Sequence, residues 1–323
     1  MSALANVAAG LVGAAWELRR RAYALGLARP RAVPARVVSI GNLTLGGTGK
    51  TTLTLHLALV ARARGIRAAV VCRRYRPGPA GRGDEEALYR ERLGEREVFA
   101  GRRKRDLAAR AAAAGFALVL VDDGFSHWAL ARDLDVVVLD ARDLWGGGRL
   151  MPAGRLREPR RALQRARAVV VSRLGPGEDG AALMGEAGAY APGALLAAAR
   201  HRVSGVRTLD GVSVPAGGRA RVVTATGNPR AVEASAREAG FDVVALSAYR
   251  DHHWFGRGEA AAELAAARAS GAVVLLSAKD AVRWPDGTDR AGVRVLEVEW
   301  EWLSAGEAVE RLVFEGEEPE GRG

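Results

Sequence analysis

Mainly apolar stretches of strand length recur at residues 35–40, 66–72, 116–121, 134–139 and 168–172, that at 116–121 uninterrupted, with segments of helical length between several of them. Strands buried on both faces read as continuous apolar runs, and strands alternating with helices call for a parallel sheet covered by helices. A helix is predicted from residue 53 to 61, another over 86–92, and an Ala/Arg-rich one after a short strand end within 99–115. Residues 181–199 are Ala/Gly-rich and predict a helix at best. Around residues 202–218 the pattern changes to short polar-apolar alternation with turns. A second series begins at residue 220: strand 222–226, a turn at Gly227-Asn228-Pro229, a helix to 239, strand 243–246, helix 258–269, and strands 272–277 and 293–298. The predicted organisation is an N-terminal helix (1–30), an α/β core with helices on both faces of a parallel sheet (31–201), a linker or hairpin (202–219), and a second, smaller α/β lobe (220–323). The acidic, glycine-rich tail 315–323 is expected to fray.

Composition narrows the classes. With 323 residues and 49% hydrophobic content, the chain can bury one large core or two medium ones. Net charge is +11, but the basic residues are arginines apart from Lys50, Lys104 and Lys279. An anionic substrate or a membrane surface suits that charge as well as nucleic acid does. No arginine-aromatic block suggests base stacking, and no nucleic-acid partner is expected. The single cysteine, Cys72, excludes an intramolecular disulfide framework and a Cys-based zinc cluster. Residues 3–16 are apolar and Arg19-Arg20-Arg21 follow them. That run is shorter than the about 20 residues needed to span a bilayer, and its charge lies on the wrong side for a secretory signal. The segment is either a helix packed on the domain or one lying in a membrane interface with its arginines on anionic headgroups.

The chemistry centres on Gly41-Asn42-Leu43-Thr44-Leu45-Gly46-Gly47-Thr48-Gly49-Lys50-Thr51. A strand precedes these residues and a helix follows them, the layout of a phosphate-binding loop. Backbone N–H groups of Gly46, Gly47, Thr48 and Gly49 would cradle phosphates, Lys50 would reach between them, and the Thr51 hydroxyl would bind Mg²⁺. The usual spacing places glycine at position 44, where this chain has Thr44. Strand 116–121 ends in Asp122-Asp123-Gly124, the apolar strand with terminal carboxylate that holds Mg²⁺ in such folds. Alone, those residues would read as a turn. Arg73-Arg74-Tyr75-Arg76 stand at the carboxyl end of strand 66–72, where open α/β sheets collect ligands. The long Gly/Pro/Arg loop 145–159 exceeds the length of ordinary connections.

Taken in order, these motifs resemble the tetraacyldisaccharide 4'-kinase family. The resemblance rests on Gly41-Asn42 with Gly46 to Thr51, Arg73 and Tyr75, Gly83-Asp84-Glu85, Asp122-Asp123-Gly124-Phe125 with His127, Leu150 to Pro159, Gly227-Asn228-Pro229, Asp251-His252-His253, and Lys279-Asp280. It implies a P-loop NTPase-type fold and ATP- and Mg²⁺-dependent phosphoryl transfer to the 4'-hydroxyl of an acylated glucosamine disaccharide 1-phosphate. That chemistry takes place at the cytoplasmic face of the inner membrane, with no obligate protein partner evident. It further implies Asp84 and His252 as a catalytic pair, Thr51, Asp122, Asp123 and Glu158 as the metal shell, and Asn42, Arg73, Tyr75, Arg155 and Arg157 as substrate contacts.

Each residue also has a plainer role. Asp84 could cap a helix, the His252-His253 pair could form a surface turn or a transition-metal site, and Arg73, Arg155 and Arg157 could be solvated like other arginines. Lys279-Asp280 could be an ion pair or face the nucleotide. Arg74, Glu86, Ser126 and Ser277-Ala278 depart from the family pattern, which puts acyl and nucleotide details in question rather than reaction type. The alternative function is a P-loop regulatory or assembly ATPase or GTPase hydrolysing nucleotide to water; the Asn/Thr-Lys-x-Asp signature of a guanine reader is missing at Ser277-Ala278-Lys279-Asp280.

Overall fold

The structure, a computed structural model, describes residues 3–175 and 177–315, so the tail from residue 316 lies outside the described residues. The helices are α1 (Ala3–Ala24), α2 (Lys50–Ala63), α3 (Asp84–Leu93), α4 (Lys104–Ala113), α5 (Ala181–Gly188), α6 (Pro229–Glu238), α7 (Arg257–Ala269), α8 (Ala278–Ala281) and α9 (Gly306–Phe314). The strands are β1 (Arg36–Gly41), β2 (Ala68–Arg73), β3 (Val98–Gly101), β4 (Leu118–Asp122), β5 (Leu134–Asp140), β6 (Ala168–Ser172), β7 (Leu195–Arg207), β8 (Ser213–Val214), β9 (Gly218–Thr224), β10 (Phe241–Ala248), β11 (Val273–Ser277) and β12 (Val293–Ser304). The chain forms two compact units. One comprises residues 1–73, 93–201 and 300–323, the other 74–92 and 202–299.

In the first unit the strands follow the order β7-β6-β5-β1-β4-β2-β3, and the pairs run parallel. Successive side chains of a strand point to opposite faces. Val37, Ala69, Val71, Val119 and Val121 pack against Leu107, Ala108 and Ala111 of α4. The intervening residues face the other way, where α2 lies along β1, β2 and β4 and buries Leu53, Leu57 and Ala61. This is the P-loop NTPase-type α/β architecture. Residues 181–199 depart from the sequence expectation: the helix ends at Gly188, and Ala197, Ala198 and Ala199 lie fully buried in β7. Burial between neighbouring elements overrides alanine's helix propensity there.

Helix α1 is two-sided. Trp16 and Tyr23 pack on Trp128 at ring-centroid distances of 6.1 and 5.4 Å. Leu4, Val7, Leu11 and Leu18, spaced three, four and seven apart on the opposite side, are exposed. No described helix is long and apolar enough to cross a membrane.

The second unit orders its strands β10-β9-β11-β12, with β10 and β9, β9 and β11, and β11 and β12 paired in parallel, and β8 closes an antiparallel hairpin on β7 through Val206 and Val214. Phe255, Leu264 and Trp284 fill one side of its core, Phe241, Val222 and Leu275 the other. These elements make a second, smaller α/β unit, which takes in 74–92 and leaves out the residues from 300 on, unlike the expected lobe 220–323.

Gly41, the last residue of β1, is required by contact. A Cβ there would stand 2.2 Å from the Phe125 Cβ and 2.9 Å from the Phe125 backbone nitrogen. Gly41→Ala is therefore expected to destabilise the first unit by about 3 kcal/mol, measured as a lower urea midpoint at unchanged slope.

Candidate active site

The first unit's site starts from strand register. β1 and β4 run side by side with Ile40 opposite Asp122, so the loop leaving β1 and the Asp122-Asp123 turn leaving β4 emerge next to each other. Gly124 donates its N–H to the Ile40 carbonyl at 3.2 Å, which draws the turn in. The loop bends at Gly46 (φ 112°) and Gly49 (φ 92°), conformations an L side chain rarely adopts. Gly49 is the N-cap of α2, so the helix opens on Lys50 and Thr51 with its first N–H groups turned to the loop. From β6, Ser172 Oγ donates to the Thr48 carbonyl at 2.7 Å and holds the loop from behind. His201 and Trp300 wall it at Gly49, where a Cβ would stand 2.7 Å from His201 Nε2. Burial keeps His201 neutral, its pKa pushed down to about 3.

Thr51 Oγ1 lies 3.5 Å from Asp122 Oδ2, which brings a hydroxyl and a carboxylate together at the helix start. Asp123 takes two hydrogen bonds from Arg157, at 2.6 and 3.0 Å, and stands 3.9 Å from Lys50 Nζ. Burial opposes ionisation of Asp123, but Lys50 and Arg157 outweigh it and hold the carboxyl far below the usual carboxylate range. Arg157 also donates to Asn42 Oδ1, and Asn42 Nδ2 donates to the Thr44 carbonyl at 2.8 Å. The long loop pairs with the phosphate loop through backbone: Leu45 N–H donates to the Arg155 carbonyl and Arg157 N–H to the Leu43 carbonyl, both at 2.7 Å. Arg155 closes the contact by donating to the Leu45 carbonyl.

Glu158 is placed differently. Its Oε2 accepts from Trp16 Nε1 at 2.8 Å and from Arg165 at 2.7 Å, and Arg165 is sandwiched by the Phe125 and Trp128 rings at 4.2 and 4.1 Å. Arg73 ends β2 at the surface. One residue the sequence patterns did not single out is central: Lys104, on α4, donates from Nζ to the carbonyls of Asp122 and Asp123 at 2.7 and 2.6 Å, pinning the carboxylate turn from below. Its rarity as a lysine was the available signal.

The second unit brings Asp84 and His252 together. His252 Nδ1 lies 2.9 Å from Asp84 Oδ2, across 168 positions of sequence. Asp84 is buried at the first turn of α3, where its Oδ1 also accepts the Glu85 N–H at 2.9 Å, so it serves the helix end and the imidazole together. His252 sits in a turn at φ 63°. Its backbone N–H donates to the Ala225 carbonyl at 3.0 Å, and Asp251 packs under Gly227. Tyr75 meets the imidazole edge-on at 5.1 Å. The hydrogen bond that His252 donates to Asp84 raises the His252 pKa against burial; burial opposes ionisation of Asp84, but His252, Lys279 and Arg283 hold its carboxyl well below the usual range. His253 turns away to Glu259 at 2.8 Å. Lys279 pairs with Glu85 at 2.9 Å, while Asp280 and Arg283 form a buried pair behind Asp84. Among an abundance of arginines, nothing in the sequence marked Arg283.

Comparison with known proteins gives the family. The family described as Tetraacyldisaccharide-1-P 4'-kinase, LpxK, matches residues 1–314. A tetraacyldisaccharide 4'-kinase of Anaeromyxobacter sp. (strain Fw109-5) is 38% identical over 306 residues, covering 86% of this chain and 81% of that protein. One from Geobacter metallireducens is 34% identical over 301 residues, covering 86% and 87%. In fold, the chain is similar to the crystal structure of LpxK from Aquifex aeolicus in complex with ATP, with a TM-score of 0.71 at 22% identity over 95% of this chain and 96% of that one. The chain belongs to the tetraacyldisaccharide 4'-kinase family, and it is a phosphotransferase acting on the 4'-hydroxyl of the lipid A precursor.

Proposed function

We propose that ATP is the donor, that the first unit's phosphate loop grips it, and that His252 of the second unit takes the proton of the attacking 4'-hydroxyl. The observation that carries this reading is the 2.9 Å contact between Asp84 and His252. With Nδ1 donating to an ionised carboxylate, the imidazole presents Nε2 as the proton acceptor. Asp84 fixes that tautomer and favours the imidazolium formed when the proton arrives. Lys50 and the N–H groups at the start of α2 neutralise phosphate charge, and Arg157 keeps Asp123 ionised beside Lys50.

Thr51 and Asp122 are the residues that would hold Mg²⁺. They are hard oxygen donors side by side, and no three His, Cys, Asp or Glu side chains cluster as a cage among the described residues. Mg²⁺ is ordinarily bound by one or two carboxylates plus substrate phosphates. When bound it supplies charge neutralisation to the transferring phosphoryl group. Glu158, engaged by Trp16 and Arg165, supports this site by fixing α1 and the end of the long loop.

The exposed apolar row on α1 supports a peripheral place on the membrane that carries the lipid substrate, at the cytoplasmic face where ATP is supplied. The row faces away from Trp16 and Tyr23, so α1 can remain docked while its leucines enter the interface. The positive charge suits anionic lipids and a substrate that already carries phosphate.

The test is transfer from ATP, with Mg²⁺, to detergent-dispersed disaccharide 1-phosphate, read as a product heavier by one phosphoryl group; nucleotide hydrolysis indifferent to the lipid would overturn it. Asp84→Asn is expected to lower kcat by about 10²–10⁴-fold with ATP binding retained. Because His252 must be neutral to accept a proton and its pKa is raised by Asp84, kcat should fall as pH drops through a value above 6.5. The residual activity of Asp84→Asn should lose its acid limb at lower pH than the parent. For α1, each leucine contributes about 1.5–3 kcal/mol when withdrawn from water, so replacing Leu4, Leu11 and Leu18 by glutamine should weaken sedimentation with anionic vesicles by more than about tenfold. Activity on detergent-dispersed substrate should persist.

A further inference from the structure

The Lys279-Asp280 motif leads to a buried chain of charges that ends on the catalytic pair. Arg283 and Asp280 are almost completely buried. Arg283 Nη2 lies 2.6 Å from Asp280 Oδ1, and Nη1 lies 3.3 Å from Asp84 Oδ2, the same oxygen that meets His252 Nδ1. The guanidinium is held in place by two carbonyls, Nη1 donating to Ala225 at 2.9 Å and Nε to Lys279 at 3.1 Å. Asp280 is fixed in turn: its Oδ1 accepts the Ala225 N–H at 2.8 Å and its Oδ2 the Ser277 hydroxyl at 2.5 Å. The Ala225 carbonyl also accepts the His252 backbone N–H. One peptide carbonyl at the end of β9 therefore holds both the imidazole's backbone and the guanidinium, with Asp84 between their side chains.

We infer that Arg283 is a positioning residue for phosphoryl transfer: it shares the Asp84 carboxylate with His252, and Asp280 behind it sets how much of that carboxylate the imidazole receives. This rests on the reading of Asp84 and His252 as the catalytic pair. A buried cation beside Asp84 keeps the carboxylate ionised and weakens its hold on the imidazole's proton. A second carboxylate behind the cation draws it back and strengthens that hold. The other groups facing this pair are Lys279, paired with Glu85, and Asp251, whose Oδ2 lies 3.7 Å from His252 Nε2. The Tyr75 ring meets the imidazole edge-on, and Arg76 donates to the Asp251 carbonyl. Neutralising either Arg283 or Asp280 changes the charge seen by Asp84, and the two act with opposite sign.

The experiment compares the full-length parent with Arg283→Gln, Arg283→Lys and Asp280→Asn. It follows kcat and KM against pH and titrates His252 by the NMR signal of its Cε1 carbon in the folded protein. Arg283→Gln should move the acid limb of kcat and the His252 titration to higher pH, with kcat at least about tenfold lower and KM for ATP little changed. Asp280→Asn, which keeps shape and acceptor Oδ1, should move both to lower pH. Arg283→Lys should leave the limb near the parent's position while kcat falls. Loss of activity or thermal stability with the titration unmoved in Arg283→Gln and Asp280→Asn would overturn the inference and leave Arg283 a purely structural residue. If Arg283→Gln does not fold, Asp280→Asn decides alone. The His252 titration separates this from failure of the underlying reading: near-parental activity in Asp84→Asn would remove the catalytic pair, whereas an unshifted titration removes Arg283's role while the pair stands.

Discussion

Parallel pairing of β1 with β4, Ile40 beside Asp122, is the constraint on which the first unit's chemistry depends. It puts the exit of one strand into a phosphate loop next to the exit of the other into a carboxylate turn. Everything nearby reinforces that adjacency. Gly41 has no side chain because the Phe125 backbone leans on it, and Lys104 holds the carbonyls of both aspartates. Asp123 adopts a left-handed conformation (φ 53°), unusual for a residue with a side chain, and its contacts to Arg157 and Lys50 offset that strain. A slip of one residue in this register would turn each buried valine to the opposite face and carry Asp122 away from Thr51.

The three lysines divide the labour in a way that arginine could not. Lys50 opens the helix at the phosphate loop, Lys104 reaches two carbonyls from a buried position, and Lys279 pairs beside Asp84. A compact ammonium with donors in three directions fits between carbonyl or phosphate oxygens where a planar guanidinium does not. Arginine is used where its fork suits a carboxylate, as in Arg157 with Asp123 and Arg283 with Asp280. Much of the chain's positive charge is thus committed to internal pairs, Arg207 with Glu297 and Arg221 with Glu263 among them.

How much of this was visible in the sequence depends on the range of the interaction. The strand runs, the phosphate loop and the Asp-Asp-Gly turn are local patterns and could be read directly. The Asp84 and His252 pairing joins residues that no periodicity relates, and only the family's motif order pointed to it. Arg283 gave no sign because a buried, doubly paired arginine is identical in sequence to a solvated one. Residues 195–199 misled for the opposite reason: a local helix preference is clear in the alanines, but full burial in β7 decides the outcome. Helix α9 was likewise not anticipated, and its buried residues are Gly306, Val309 and Val313.

The loop's one irregularity, Thr44 where glycine is usual, follows from what the long loop does. The left-handed positions in the phosphate loop are Gly46 and Gly49, and residue 44 is not among the positive-φ residues of the chain. Thr44 instead forms an antiparallel bridge with Leu156, with Leu45 and Arg157 bonded on either side to Arg155 and Leu43. A bridge calls for extended backbone, which a β-branched residue favours and glycine resists. The exchange of glycine for threonine therefore belongs to the same device as residues 145–159. The first half of the loop becomes a short strand clasped by the segment that delivers Arg157 to Asp123, and only the second half keeps the freedom needed to wrap a phosphate. Loosening the clasp would free Arg157 as well as the loop, so the charge balance around Lys50 and the shape of the loop are set by one contact.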